Sequence, residues 1–310
     1  MHTCRLLLVF LGSLGLLGCA AIDPKPFEEL HTSAAAFQTQ VDATYKTAYD
    51  MAAKGFSTAS PFGDDPTFDQ LLLQWDDDGG DPTQPTQEAK PLHSLLRDNR
   101  RGSYDLNGAL AEYSQYLSLL AGGSAQDAEA LEAMARNANA NMRSARDTLG
   151  LEVGDGELAI VATLGAEALR QKIEHDRRNY LRETMDEAQP RIQTFSEFMV
   201  STMNLLAGDI TSTYVRWAES RRRVHDADGA TAQEKRKILV ALLVRNDETL
   251  LLLESVRTMR DGYARLPLAH AEVRRRIDEP EAFLATVRRL YEDARRLQTL
   301  QAELERAQGS

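Results

Sequence analysis

SAQDAEALEAMARNANANMRSARDTLG, residues 124–150, reads as one complete amphipathic helix. Ser124 and Asp127 have the spacing of a capping box, in which each side chain satisfies a backbone donor of the other. Ala128, Leu131, Ala135, Ala138, Met142, Ala145 and Leu149 recur at intervals of three or four, the period that places them on one stripe. Gly150 stands where a helix commonly ends in a left-handed residue. Because the stripe is mostly alanine, neighbouring backbones can approach closely. Such a seam predicts a central place in a bundle of helices.

The same period extends in both directions. Phe27, Leu30, Ala34, Phe37, Val41, Thr44, Ala48 and Met51 predict a first long helix, with Gly55 as its stop. Leu106, Leu110, Tyr113, Leu117 and Leu120 predict another, ended by Gly122-Gly123. On the other side a helical pattern runs from about Glu157 to Arg223, with Pro190 expected to kink or split it because proline removes a backbone donor. Thr231-Ala-Gln-Glu234 is a second capping box, opening a helix to about Ala264. Pro267 is expected to set apart a short helix through Ile277, and Asp278-Glu-Pro-Glu281 to start the last one. The buried face of that last helix would carry Phe283, Leu284, Val287, Leu290, Ala294, Leu297, Leu300 and Leu304. No strand pattern of any length and no repeat of solenoid type interrupts this series. The predicted fold is all-α, an elongated multi-helix bundle.

Two stretches depart from that pattern. Residues of about 56–101 are rich in Asp, Pro and Gly and read as an irregular insertion, with Asp65-Pro66 opening a short helix that ends near Trp75 and an exposed acidic loop from Asp76 to Asp81. The other is the N-terminus. A single cation, Arg5, precedes the apolar run Leu6 to Leu17, and the run closes on Leu16-Leu17-Gly18-Cys19. About 12 apolar residues are too few for a helix that crosses a bilayer, which needs roughly 20, so the segment reads as a secretory signal.

The ending Leu16-Leu17-Gly18-Cys19 resembles the lipobox of bacterial lipoproteins. The resemblance implies that Cys19 is acylated and becomes the first residue, so that residues 1–18 are a signal peptide and 19–310 a periplasmic helical-bundle domain. The membrane would then be a partner through an N-terminal lipid anchor. Ala20, where lipoproteins retained in the inner membrane of many Gram-negative bacteria carry Asp, implies sorting to the outer membrane. The best rival for a membrane segment, Lys237 to Val256, is interrupted by Arg245, Asp247, Glu248 and Glu254 and reads as a core helix. Cys4 leaves with the signal, so Cys19 is the one cysteine of the mature chain and stability must come from packing without a disulfide.

The formal net charge is −11, and the acidity is concentrated in residues 1–150, where 11 Lys and Arg stand against 20 Asp and Glu. That balance argues against nucleic acid as a partner, which requires a basic footprint. One local exception stands out. Arg221, Arg222 and Arg223 precede the turn His225 to Ala230, and Lys235, Arg236 and Lys237 follow it, so a helical hairpin would gather six cations near its tip. Their expected contact is an anionic lipid or the carboxylates of peptidoglycan. In the same span Glu219, Asp226, Asp228 and Glu234 reduce the balance to +2, and arginines at a helix C-terminus are also favoured by the dipole alone.

Chemistry finds less support. Glu28 and His31 provide one Glu-x-x-His spacing, whereas a dinuclear site in a helical bundle uses two. His31, His93, His175, His225 and His270 show no His-x-x-x-His spacing. In the Asp76 loop the glycine position of a calcium-binding EF-hand is occupied by Asp81 and the terminal Glu position by Gln87. Gly-x-Ser-x-Gly, the Ser-x-x-Lys pattern of penicillin-binding type and a Walker loop are absent, and Gly154-Asp155-Gly156 reads as a turn and helix cap. No cofactor is expected. The leading expectation is a lipid-anchored envelope interaction or scaffold protein with an envelope protein as partner. A protein binding anionic lipid or peptidoglycan through the basic tip comes second, and a metal-dependent helical-bundle enzyme third.

Overall fold

The computed structural model describes residues 22–57, 92–150, 159–279 and 284–309. Among them are six α-helices and no strand: α1 (Lys25–Ser57), α2 (Leu92–Gly122), α3 (Ala128–Leu149), α4 (Ala166–Asp226), α5 (Ala232–Arg276) and α6 (Ala285–Gly309), with a 3₁₀ turn at Ala125–Asp127 between α2 and α3. The chain is therefore an all-α bundle. The signal region, Cys19, Asp65-Pro66, the Asp76 loop, Gly154 to Gly156 and Phe283 lie outside the described residues.

Sequence neighbours pair as antiparallel hairpins. Across α1 and α2, Asp42 meets Arg100 and His31 meets Ala111. Asp105 meets Ser144 across α2 and α3, and Glu272 meets Thr286 across α5 and α6. At about 1.5 Å per residue the 45 residues of α5 span some 65 Å, so the bundle is elongated. The predicted stripes are the core. Every apolar residue foreseen on α1 and α2 is buried, as are Ala128 to Ala145 on α3 and Val287 to Leu304 on α6. Gly102 and Gly262 leave no room for a side chain, the first packed against Leu149 and the second against Phe37.

Neither proline splits its helix. Pro190 lies on the exposed face of α4, where water can take the carbonyl it frees. Pro267 is buried within α5, and the carbonyl it frees is that of Tyr263, four residues back. The buried Ser196 hydroxyl of α4 donates to that oxygen at 2.7 Å, replacing the lost helical bond. Ser196→Ala should therefore cost about 1–3 kcal/mol, the cost of an unsatisfied buried acceptor, measured by chemical denaturation. The interruption in α4 is at Asp176 instead, with φ −157° and ψ 59°. Its carboxylate accepts the Asn179 backbone N–H at 3.3 Å and so acts as the cap of a second helical segment.

Several boundaries also move. The irregular insertion is narrower than 56–101, because α1 continues to Ser57 and α2 is already helical from Leu92. Helix α4 starts at Ala166 and not near Glu157, because residues 159–165 are held in a non-helical connection by side chains of α3. Asn139 donates to the Val161 carbonyl at 2.8 Å, and Glu132 accepts the Ala166 backbone N–H at 3.0 Å. Asp278 does not open the last helix. Asp278 and Glu279 close α5 by returning their N–H groups to the Arg275 carbonyl, while the Asp278 carboxylate pairs with Arg182 and Arg274.

The largest departure concerns Lys237 to Val256, expected as a core helix. Only its second half is core. Ile210 is the last buried residue of α4, and between Ile238 and Glu248 α5 has none. Residues 211–247 thus form a two-helix arm that leaves the shared core, its base held to α1 by Arg245, which donates to the Met51 carbonyl at 2.8 Å. The reason is length: α4 and α5 extend together beyond the turns where Tyr263, Val256 and Leu252 meet the other helices. Among the described residues, no helix is long and apolar enough to cross a membrane.

Candidate functional site

The tip of the arm is well defined locally. Helix α4 ends at Asp226, the Ala230 N–H returns to the Ala227 carbonyl at 3.1 Å, and Thr231 caps α5. In that cap the Thr231 N–H donates to Glu234 at 2.8 Å and the Glu234 N–H donates to the Thr231 hydroxyl at 3.2 Å. Hydrogen bonds from the Thr231 side chain and backbone hold the Glu234 carboxyl below its ordinary range. A hydrogen bond from His225, reinforced by Arg222, does the same for Asp226. Both acids are therefore ionised and committed to the turn itself.

The hairpin does bring the six predicted cations to one end of the molecule. Arg222 pairs with Asp226 at 3.5 Å, and Arg221 lies over the Trp217 ring at 5.9 Å from its centroid. Lys237 acts on the Glu234 carboxylate at longer range. Arg223 and Arg236 are exposed, and these two and Lys235 have no ion pair among the described residues. Their charge is available to a partner.

Sequence reasoning missed what lies beside them. Ile238-Leu-Val-Ala-Leu-Leu-Val244 is apolar on every side of the helix, yet only Ile238 is buried. Leu239, Val240, Leu243 and Val244 are 48 to 67 % exposed, and Val215 on α4 is 45 % exposed. Tyr214, Val215 and Ala218 of α4 and Leu239 and Leu242 of α5 line a groove of about 340 Å³ along the arm. The run itself is visible in the sequence, but an uninterrupted run cannot say how many sides find neighbours.

Other candidates resolve into structural roles. The His31 ring meets the Ala111 carbonyl at 3.2 Å, and the His175 ring meets the Gln171 carbonyl at 2.9 Å. Among the described residues no group of three His, Cys, Asp or Glu side chains converges as a metal site. His270 is the exception in burial, joining Tyr113 at 2.7 Å and Gln189 at 2.6 Å. The Gln189 amide donates to the Pro267 carbonyl, so its oxygen accepts from the His270 Nδ1–H, and His270 Nε2 accepts the Tyr113 hydroxyl. This is a neutral imidazole. Burial lowers its pKa to about 4 and raises that of Tyr113 well above the usual value.

Comparison of the chain with protein-family models, with characterised proteins and with solved structures found no match. What bears on function is the chemistry of the arm itself.

Proposed function

We propose that this chain is a lipid-tethered cell-envelope protein that works by contact, with the bundle as scaffold and the arm of residues 211–247 as its contact element. The observation that carries the tether is Leu16-Leu17-Gly18-Cys19. Two features support it. Only Ala20 and Ala21 separate Cys19 from Ile22, which packs against the core, and Asp23 accepts the Lys25 N–H at 3.1 Å and pairs with Arg276. A lipid on Cys19 would hold the body close to its membrane. Several buried acyl chains, each CH₂ contributing about 0.8 kcal/mol, would make the attachment stable.

The test is metabolic labelling with palmitate followed by membrane fractionation. The wild-type chain should be labelled and fractionate with the outer membrane, and Cys19→Ser should do neither. An unlabelled wild type together with a membrane-bound Cys19→Ser variant would overturn the tether. Crosslinking mass spectrometry on intact envelopes should place an envelope partner against the body of the bundle.

A second reading, contact with anionic lipid or peptidoglycan through the tip, is favoured by Arg223, Lys235 and Arg236. These cations have no ion pair among the described residues.

A further inference from the structure

The arm combines two features that one occupant must explain together. The first is charge. Residues 211–247 hold eight Lys and Arg against five Asp and Glu, a net +3 within a chain of net −11. The second is the aliphatic flank. At 3.6 residues per turn, Leu239, Leu243 and Leu250 fall within about 40° of one another on α5, and Val240 and Val244 continue the same arc. Leu250 is 57 % exposed. The α4 side of the arm adds Val215 and the half-buried Tyr214 and Trp217.

We infer that the arm lies in the interface of an anionic lipid bilayer, with its α5 flank against the acyl boundary and Arg223, Lys235, Arg236 and Lys237 among the headgroups. An interfacial helix combines aliphatic and aromatic side chains on one face with cations beside it, and the apolar run here is too short to span a bilayer. The charge discriminates among occupants. A second copy would bring one net-positive arm against another, and like charges in contact oppose docking. Peptidoglycan would satisfy the cations and leave five aliphatic side chains in water. A bilayer satisfies both. Leu239 also lies 37 residues from Arg276, the partner of Asp23, which is about 55 Å along α5. The arm is therefore a second membrane contact, separate from the point of tethering.

This inference deepens the tip-contact reading and does not depend on Cys19, which allows the two to be tested apart. Residues 19–310 carrying Cys19→Ser, which cannot be acylated, are floated with vesicles of phosphatidylcholine alone or mixed equally with phosphatidylglycerol. Binding to the anionic vesicles is expected, about tenfold or more above that to neutral ones, and falling steeply between about 50 and 500 mM salt as charges are screened. Leu239→Asp/Leu243→Asp and Lys235→Gln/Arg236→Gln/Lys237→Gln should each weaken binding about tenfold, with unchanged helicity because none of these residues is buried. Leu205→Asp/Leu268→Asp, on exposed positions of the body, should leave it unchanged. The inference fails if anionic vesicles do not bind, or if the Leu239/Leu243 variant binds as well as its parent. It also fails if that variant instead abolishes a concentration-dependent dimer, which would assign the flank to a second copy.

Discussion

Lowering the pH from 7 to 4 is expected to cost the folded chain about 3 kcal/mol through His270 alone. The imidazole is fully buried, and burial takes its pKa from 6.5 to about 4, with the Asp186 carboxylate only partly opposing the change. The unfolded chain accepts a proton below about pH 6.5, whereas the folded chain refuses it until about pH 4. The contribution is therefore complete above about pH 6.5 and is lost as pH falls toward 4, at about 1.4 kcal/mol for each pH unit between those two values. The carboxylates of Asp226, Glu234 and Asp278 are held low by hydrogen bonds, so their contributions fade only in stronger acid. Burial raises Asp209 and Asp293, which opposes the trend near the acid end. The clearest window is therefore about pH 5 to 6.5.

Denaturant unfolding across that window should show the slope for the wild type and its loss in His270→Gln. At pH 7 the variant should be less stable by about 1–3 kcal/mol, because Tyr113 and Gln189 lose a buried partner between them. The two stability curves should converge toward pH 4. Parallel curves would show that His270 is not the titrating group.

Gly262→Ala should destabilise the bundle by about 1–3 kcal/mol, although alanine is the better helix former by about 1 kcal/mol. Gly262 of α5 faces the Phe37 ring of α1 with no room for a side chain. A methyl group there would lie within 2.7 Å of the Phe37 ring carbon Cε1 and nearer still to Cζ. The ring has little room to retreat, being 3 % exposed and packed at a tilt of 45° against Tyr263 with centroids 5.2 Å apart. Tyr263 is in turn fixed by a 2.8 Å hydrogen bond to Asn107 and by Phe195 at 5.9 Å. Overpacking therefore exceeds the propensity gain. Phe37→Leu should cost about 1–2 kcal/mol alone, and the double variant should be more stable than the sum of the two losses by about 1 kcal/mol or more. Strict additivity in that cycle would place the clash elsewhere.

The gap between residue pattern and tertiary consequence is widest at the two prolines and the arm. A proline in a helical pattern announces only that one carbonyl loses its donor. Whether the helix breaks depends on what replaces that donor, and for Pro267 it is Ser196, 67 residues from Tyr263 in sequence. Asn139 behaves similarly. It stands beside the alanine stripe of α3, and nothing local shows that it holds Val161 across a connection. The six cations could be read as a cluster because the turn between them is short and its capping box lies within four residues. The leucines beside them could not, because a run apolar on all sides fits a core helix as well as a bare one.

By itself, the sequence determined the helical class, the buried stripes of α1, α2, α3 and α6, both capping boxes and the hairpin that collects the cations. These are local properties, set by a period of about 3.6 residues and by side chains reaching no further than a turn. It also carries the lipobox-like ending at Cys19, a matter of sequence alone. Only the tertiary structure decided that α4 and α5 run together past the last shared core layer, leaving Leu239 and Leu243 exposed among the described residues. Burial is a property of neighbours, and which helices reach a given turn depends on the lengths and register of all of them together.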